Sequence, residues 1–133
     1  MLVNQAIELM ELILQNEKFI KYGKIQYLNT PISFDIETTS FKDNEGEKVA
    51  IMYLWSFAIR DKVIFGRTWD EFKKLLQSIN RILNLDEKRQ IIIYVHNLSF
   101  EFQFMRKHFE WDKVFSINLR KPIYAITNTG ICF

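Results

Sequence analysis

Between Ile32 and Glu37 the chain alternates strictly, with Ile32, Phe34 and Ile36 set against Ser33, Asp35 and Glu37. Successive side chains of a strand point to opposite faces, so this segment reads as a strand with one apolar and one acidic face. Such a strand obliges the chain to build a sheet covered on one side. It also leaves Asp35 and Glu37 together on the other side, near the strand's C-terminal end, where two like charges need a reason. Pro31 opens the strand, and a polar, charged loop from Phe41 to Lys48 follows it. The run Val49 to Ile59 then turns through Arg60-Asp61 into Lys62 to Gly66, which predicts an antiparallel hairpin.

The period changes at Thr68. Thr68 with Glu71 forms a capping box, and Phe72, Leu75, Leu76, Ile79, Ile82 and Leu83 make a helical stripe behind it. Lys73 is expected on the outward face of that helix. The continuous apolar run IIIYV, 91–95, reads as a strand buried on both faces. A further helix is expected from Asn97 or Ser99 to about Phe109. Ile123 to Thr127 reads as a strand, followed by a turn at Asn128-Thr129-Gly130.

At the other end, Val3, Ala6, Ile7, Met10, Ile13 and Leu14 predict an amphipathic helix within the first 17 residues, packed on the flank of the domain. The order of strand, hairpin, helix, strand, helix and strand predicts an α/β fold with a mixed sheet. Residues 1–30 are then an N-terminal helix and an aromatic-rich connector, and 31–133 form the domain proper. Its last arm, Ile131-Cys132-Phe133, is so short that it is expected to leave a bare sheet edge, as in a chain cut from a larger domain.

Composition narrows the classes. Of 133 residues 48% are hydrophobic, including twelve Phe, five Tyr and three Trp, enough for a packed core. A formal charge of +2 permits nucleic-acid binding but lacks the dense basic patch of a purely electrostatic binder. Cys132 is alone, which excludes a disulfide within the chain and suits a reducing compartment. The apolar N-terminus carries Glu8, Glu11 and Glu17 without a basic leader, so neither a signal peptide nor a membrane span is expected. The expected protein is soluble and intracellular.

The segment YVHNLSFEFQFM, 94–105, follows the apolar run and opens the expected helix. Glu101 falls in the first turn of that helix. If this strand neighbours the one carrying Asp35, Glu101 approaches Asp35 and Glu37 across the sheet edge where open α/β folds bind ligands. Three converging carboxylates repel one another, and a divalent cation relieves the repulsion. Oxygen-only ligands favour Mg²⁺ or Mn²⁺. Phe100 is suited to stacking on a base, and His96 and Asn97 to hydrogen bonds with a single strand.

These two stretches resemble a known family. FDIET is similar to the first motif of the DEDD 3′–5′ exonucleases, which have a ribonuclease H-like fold. HNLSFEF resembles their second motif as found in protein-primed family-B DNA polymerases of phages and mobile elements. The likeness covers roughly residues 31–127 and includes the order of first motif, hairpin, amphipathic helix, strand and second motif. It implies two-metal-ion hydrolysis at the 3′ end of a primer strand, with Asp35, Glu37 and Glu101 as catalytic metal ligands. It also implies Thr38, His96, Asn97 and Phe100 as ligands of single-stranded DNA. The implied setting is proofreading in the cytoplasm of a host cell, beside the rest of a polymerase or a terminal protein.

Two departures stand out. Glu101 occupies a position where the family has Asp, a difference of one methylene, or about 1 Å of reach. The third motif, a Tyr with an Asp a few residues later, is absent, and Asp112 is the only Asp after Glu101. The resemblance therefore implies an impaired exonuclease portion. The competing reading is a non-catalytic relative that serves as a nucleic-acid-binding or protein-interaction module. Singly, each residue also admits a plainer role: a solvated strand end for Asp35 and Glu37, a favourable helix-dipole position for Glu101, and core packing for Phe100.

Overall fold

The computed structural model describes residues 1–116 and 122–133 and is a mixed α/β fold of three helices and two mixed sheets. Helix α1 spans Val3–Leu14 and buries Val3, Ala6, Met10 and Leu14 on one stripe. The residues expected to form a connector are instead a hairpin, β1 (Phe19–Tyr22) and β2 (Ile25–Leu28), paired antiparallel about Gly23 at φ +64°. Its outer residues are exposed, so no apolar alternation announces it.

Strand β3 (Ile32–Lys42) has the predicted alternation, with Ile32, Phe34 and Ile36 buried and Asp35 and Glu37 exposed. It is longer than expected, because the supposed loop extends the pairing with β4 (Lys48–Ile59) as far as Lys42 opposite Lys48. Asp35 and Glu37 thus lie in the middle of β3 rather than at its end. A register shift between Glu37 and Thr38 separates the two halves of the hairpin. Strand β5 (Lys62–Gly66) completes this side.

Helix α2 (Trp69–Leu83) has the predicted cap: the Thr68 Oγ1 accepts from Glu71 N at 3.2 Å, and Glu71 accepts from Thr68 N at 3.2 Å. Its stripe packs on the sheet. Phe72 stacks on Phe34 with ring centroids 4.2 Å apart, and Trp55 lies between them and Gly66.

The apolar run 91–95 is not one strand, and its first part is continuous with Arg89 and Gln90. It divides at Ile93 into β6 (Arg89–Ile92) and β7 (Tyr94–Val95), which belong to different sheets. Only Ile91 and Ile93 are fully buried, while Tyr94 is exposed. β2 runs parallel to β6 and β3 parallel to β7, so the segment from Ile25 to Lys42 accompanies 89–95 along its length. Helix α3 is Leu98–Met105, shorter than predicted. The aromatic stretch behind it forms β8 (Trp111–Ser116), which no local pattern foretold, and β8 pairs with β9 (Pro122–Thr127).

The expected bare edge is also corrected. β10 (Ile131–Cys132) is inserted between β6, to which it is parallel, and β9, to which it is antiparallel. Phe133 is buried among Phe34, Phe72, Phe109 and Trp111. The order β1-β2-β6-β10-β9-β8 makes one sheet and β5-β4-β3-β7 the other. Among the described residues no helix is long and apolar enough to cross a membrane.

Candidate functional site

The site forms where β7 stops. Its last residue, Val95, pairs with Phe34, and the chain then leaves the sheet beside Asp35 and Ile36. Asn97 begins α3: its Oδ1 accepts from Phe100 N at 3.3 Å and its backbone carbonyl from Glu101 N at 3.0 Å. A side-chain acceptor at this position satisfies one of the orphan donors of the first turn. Asn97, expected as a strand ligand, therefore already has a structural task as cap. His96 is exposed next to it.

The capped turn points Glu101 inward. Glu101 is only 2% exposed, and its Oε1 accepts from Ile36 N at 3.1 Å. This N–H has lost its strand neighbour where β7 ends, and the carboxyl takes the place of the next carbonyl in the ladder. The other oxygen, Oε2, is buried and has no hydrogen-bond partner. Burial foremost, then the neighbouring Asp35 carboxyl and the charge of Glu37, raise the Glu101 carboxyl to about 8, against the lowering effect of Ile36 N–H.

The structure thus brings Glu101 to the strand that carries Asp35 and Glu37. Asp35 and Glu37 are exposed, and Thr38, half-buried, follows directly after the register shift. Among the described residues no three His, Cys, Asp or Glu side chains form a ready-made metal cage. The donors present are nonetheless all oxygen, and one of them is a buried, orphaned carboxyl oxygen. Both features fit a hard divalent cation. Asp112 lies exposed on β8.

Phe100 is 44% exposed on the outer side of α3, and Phe104, one turn later, meets it edge-on with centroids 5.2 Å apart. The Phe100–Phe104 spacing is visible in the sequence, but the pair of rings that lines a cleft with Phe104 is not. There Trp69, at the start of α2, stacks on His108 with centroids 5.0 Å apart and planes 21° from parallel. Lys73, expected on the outer face of α2, is half-buried beside the same histidine, whereas Lys74 is exposed. Trp55, Phe57, Trp69 and Trp111 are all expected in the core; Trp55 and Phe57 are fully buried there, whereas Trp69 and Trp111 pack against it from its margin. Cys132 is half-buried, and burial raises its thiol above the ordinary value. No protein-family model, curated protein or solved structure matches this chain.

Proposed function

We propose that the chain is the 3′–5′ exonuclease portion of a protein-primed family-B DNA polymerase, with a ribonuclease H-like core and an impaired catalytic centre. The observation that carries this reading is the buried Glu101. A carboxyl drawn out of water and toward two further carboxylates is costly unless its charge is suppressed or used. The order β5-β4-β3-β7, antiparallel on one side of β3 and parallel on the other, also supports it, as does the exposed Phe100 next to Glu101 on α3.

In this reading Asp35, Glu37 and Glu101 hold Mg²⁺ or Mn²⁺, and the ions supply charge stabilisation during phosphodiester hydrolysis. The chain's own residues do the rest. Phe100 stacks on a base near the 3′ end, with His96 and Thr38 within the same edge of the sheet. Asn97 fixes the first turn of α3, and Ile36 N–H fixes the orientation of Glu101.

A binding module without catalysis is the second reading. It is favoured by the Ile36–Glu101 hydrogen bond, which gives this carboxyl a structural role at the end of β7.

Melting in increasing Mg²⁺ or Mn²⁺, together with gel-resolved degradation of a 5′-labelled oligonucleotide, separates them. The exonuclease reading expects stabilisation at roughly millimolar metal, where a weakly held ion keeps most of its waters. It expects slow trimming from the 3′ end at most, abolished by Asp35→Ala with Glu37→Ala. Stabilisation unchanged in the double variant would overturn the metal site. Metal binding and strand binding without trimming would favour the module.

A further inference from the structure

Two clefts meet at His108. One, of about 510 Å³, lies between the β4 residues Ile51 and Met52 and the end of α3, and is lined by Trp69, Gln103, Phe104, Lys107 and His108. The other, of about 480 Å³, continues from Lys73 and His108 past Gln77 and Phe109 to the turn at Asn128. Phe104 belongs to the first cleft and also touches Phe100, so the groove begins where the candidate site ends. Its first half lies just beyond the carboxylates along the hairpin, because Met52 and Ile51 are paired with Thr38 and Thr39.

The chemistry of the lining is specific. Flat rings (Trp69, His108, Phe109) alternate with two cations and with side-chain amides. Lys73 and Lys107 both come close enough to His108 to act with burial, the largest cause, in lowering its pKa, with Asp70 opposing them. The imidazole is therefore neutral at neutral pH and stacks as an uncharged ring. Among the described residues Glu110 is the one carboxylate lining either cleft, and its Oε2 accepts from Asn128 Nδ2 at 2.8 Å, so it is turned to the turn it anchors. Stacking surfaces interspersed with cations are how proteins hold unpaired nucleic acid without reading its sequence.

We infer that this groove is a second binding segment for single-stranded nucleic acid, which carries the strand from Phe100 over Phe104 to the Trp69–His108 stack, with Lys73 and Lys107 on its phosphates. The inference extends the strand-binding reading above and rests on it for its starting point at Phe100.

The test is anisotropy of a 5′-labelled thymidine dinucleotide and octanucleotide titrated with the whole chain over a range of salt, with the matching uridine oligomers alongside to separate DNA from RNA. Lys73→Gln with Lys107→Gln should weaken the octanucleotide on the order of tenfold at low salt and flatten its salt slope by about 0.7 per lysine. The dinucleotide, held at Phe100, should be unchanged, and the exposed control Lys74→Gln should alter neither. Phe100→Ala should weaken both lengths. Octanucleotide binding that is the same in the lysine double variant and in Lys74→Gln overturns the groove while leaving the Phe100 site intact. Loss in the double variant with no effect of Phe100→Ala overturns the Phe100 site instead. Failure of the unaltered chain to bind either length overturns both.

Discussion

Glu101 combines a buried position, a hydrogen bond to the backbone of another strand and a carboxyl raised to about 8. The raised value couples the residue to folding. In the unfolded chain the group titrates near 4.5, whereas in the folded protein it keeps its proton up to about 8. The native state binds more protons across that interval, so the contribution of Glu101 to stability is fully present below the lower value and is lost as pH rises toward the upper one. Melting in chelator should therefore show a midpoint that falls through this window. Glu101→Gln keeps the shape and an acceptor for Ile36 N–H but cannot ionise, and should flatten the fall. Asp35→Ala, which removes a neighbouring charge at an exposed position, should leave the melting temperature in chelator unchanged or higher. A drop of several degrees in that variant would make Asp35 a structural residue and count against a charge cluster. The sequence placed these acids on one strand face and one helix turn, but it could not show that Glu101 closes the end of β7. That role depends on a backbone N–H in another strand.

Helix α2 and the β3–β4 hairpin were legible because each buries a single face, and burial writes its period into the residues. Four-residue strands such as β1 and β2, whose outward side chains are mostly exposed, carry no such record. β10 is the extreme case. Two residues become a strand only because β6 and β9 stand on either side of them. What holds β10 in place is the turn before it: Gly130 has φ +83°, and Thr127 Oγ1 accepts from Ile131 N at 3.2 Å. A Cβ at Gly130 would lie 2.5 Å from the Asp86 carbonyl oxygen and 3.0 Å from that of Arg89, both backbone atoms that cannot swing aside. Gly130→Ala should therefore cost at least about 2 kcal/mol from backbone strain and the clash together. Chemical denaturation measures it. A cost near that of an ordinary surface change would mean that β10 is dispensable to the sheet.

The two sheets share one unbroken stretch of chain, 89–95, flanked along one side by 25–42 and along the other by 131–132. The sequence displayed the helical and strand periods but not this meeting, since every pairing that makes it joins segments far apart in the chain. The apolar run IIIYV looked like one doubly covered strand because nothing local marks Ile93 as the point where its neighbours change. The same topology governs how the molecule assembles. The β3–β4 hairpin closes through a short turn, whereas the parallel pairings β2–β6 and β3–β7 must bring together residues nearly half the chain apart. Closing such distances costs entropy before any contact offsets it, so these pairings are expected late on the route to the native state. Ile93→Val, at the fully buried junction, should destabilise by about 0.5–1.5 kcal/mol. That loss should be expressed almost entirely as faster unfolding, with Phe57→Leu in β4 slowing refolding instead. Stopped-flow refolding of both variants separates the two; equal slowing would place the junction in the nucleus. If it is late, the edge of the sheet that orients Glu101 is among the last parts to form, and among the first to open when the protein fluctuates.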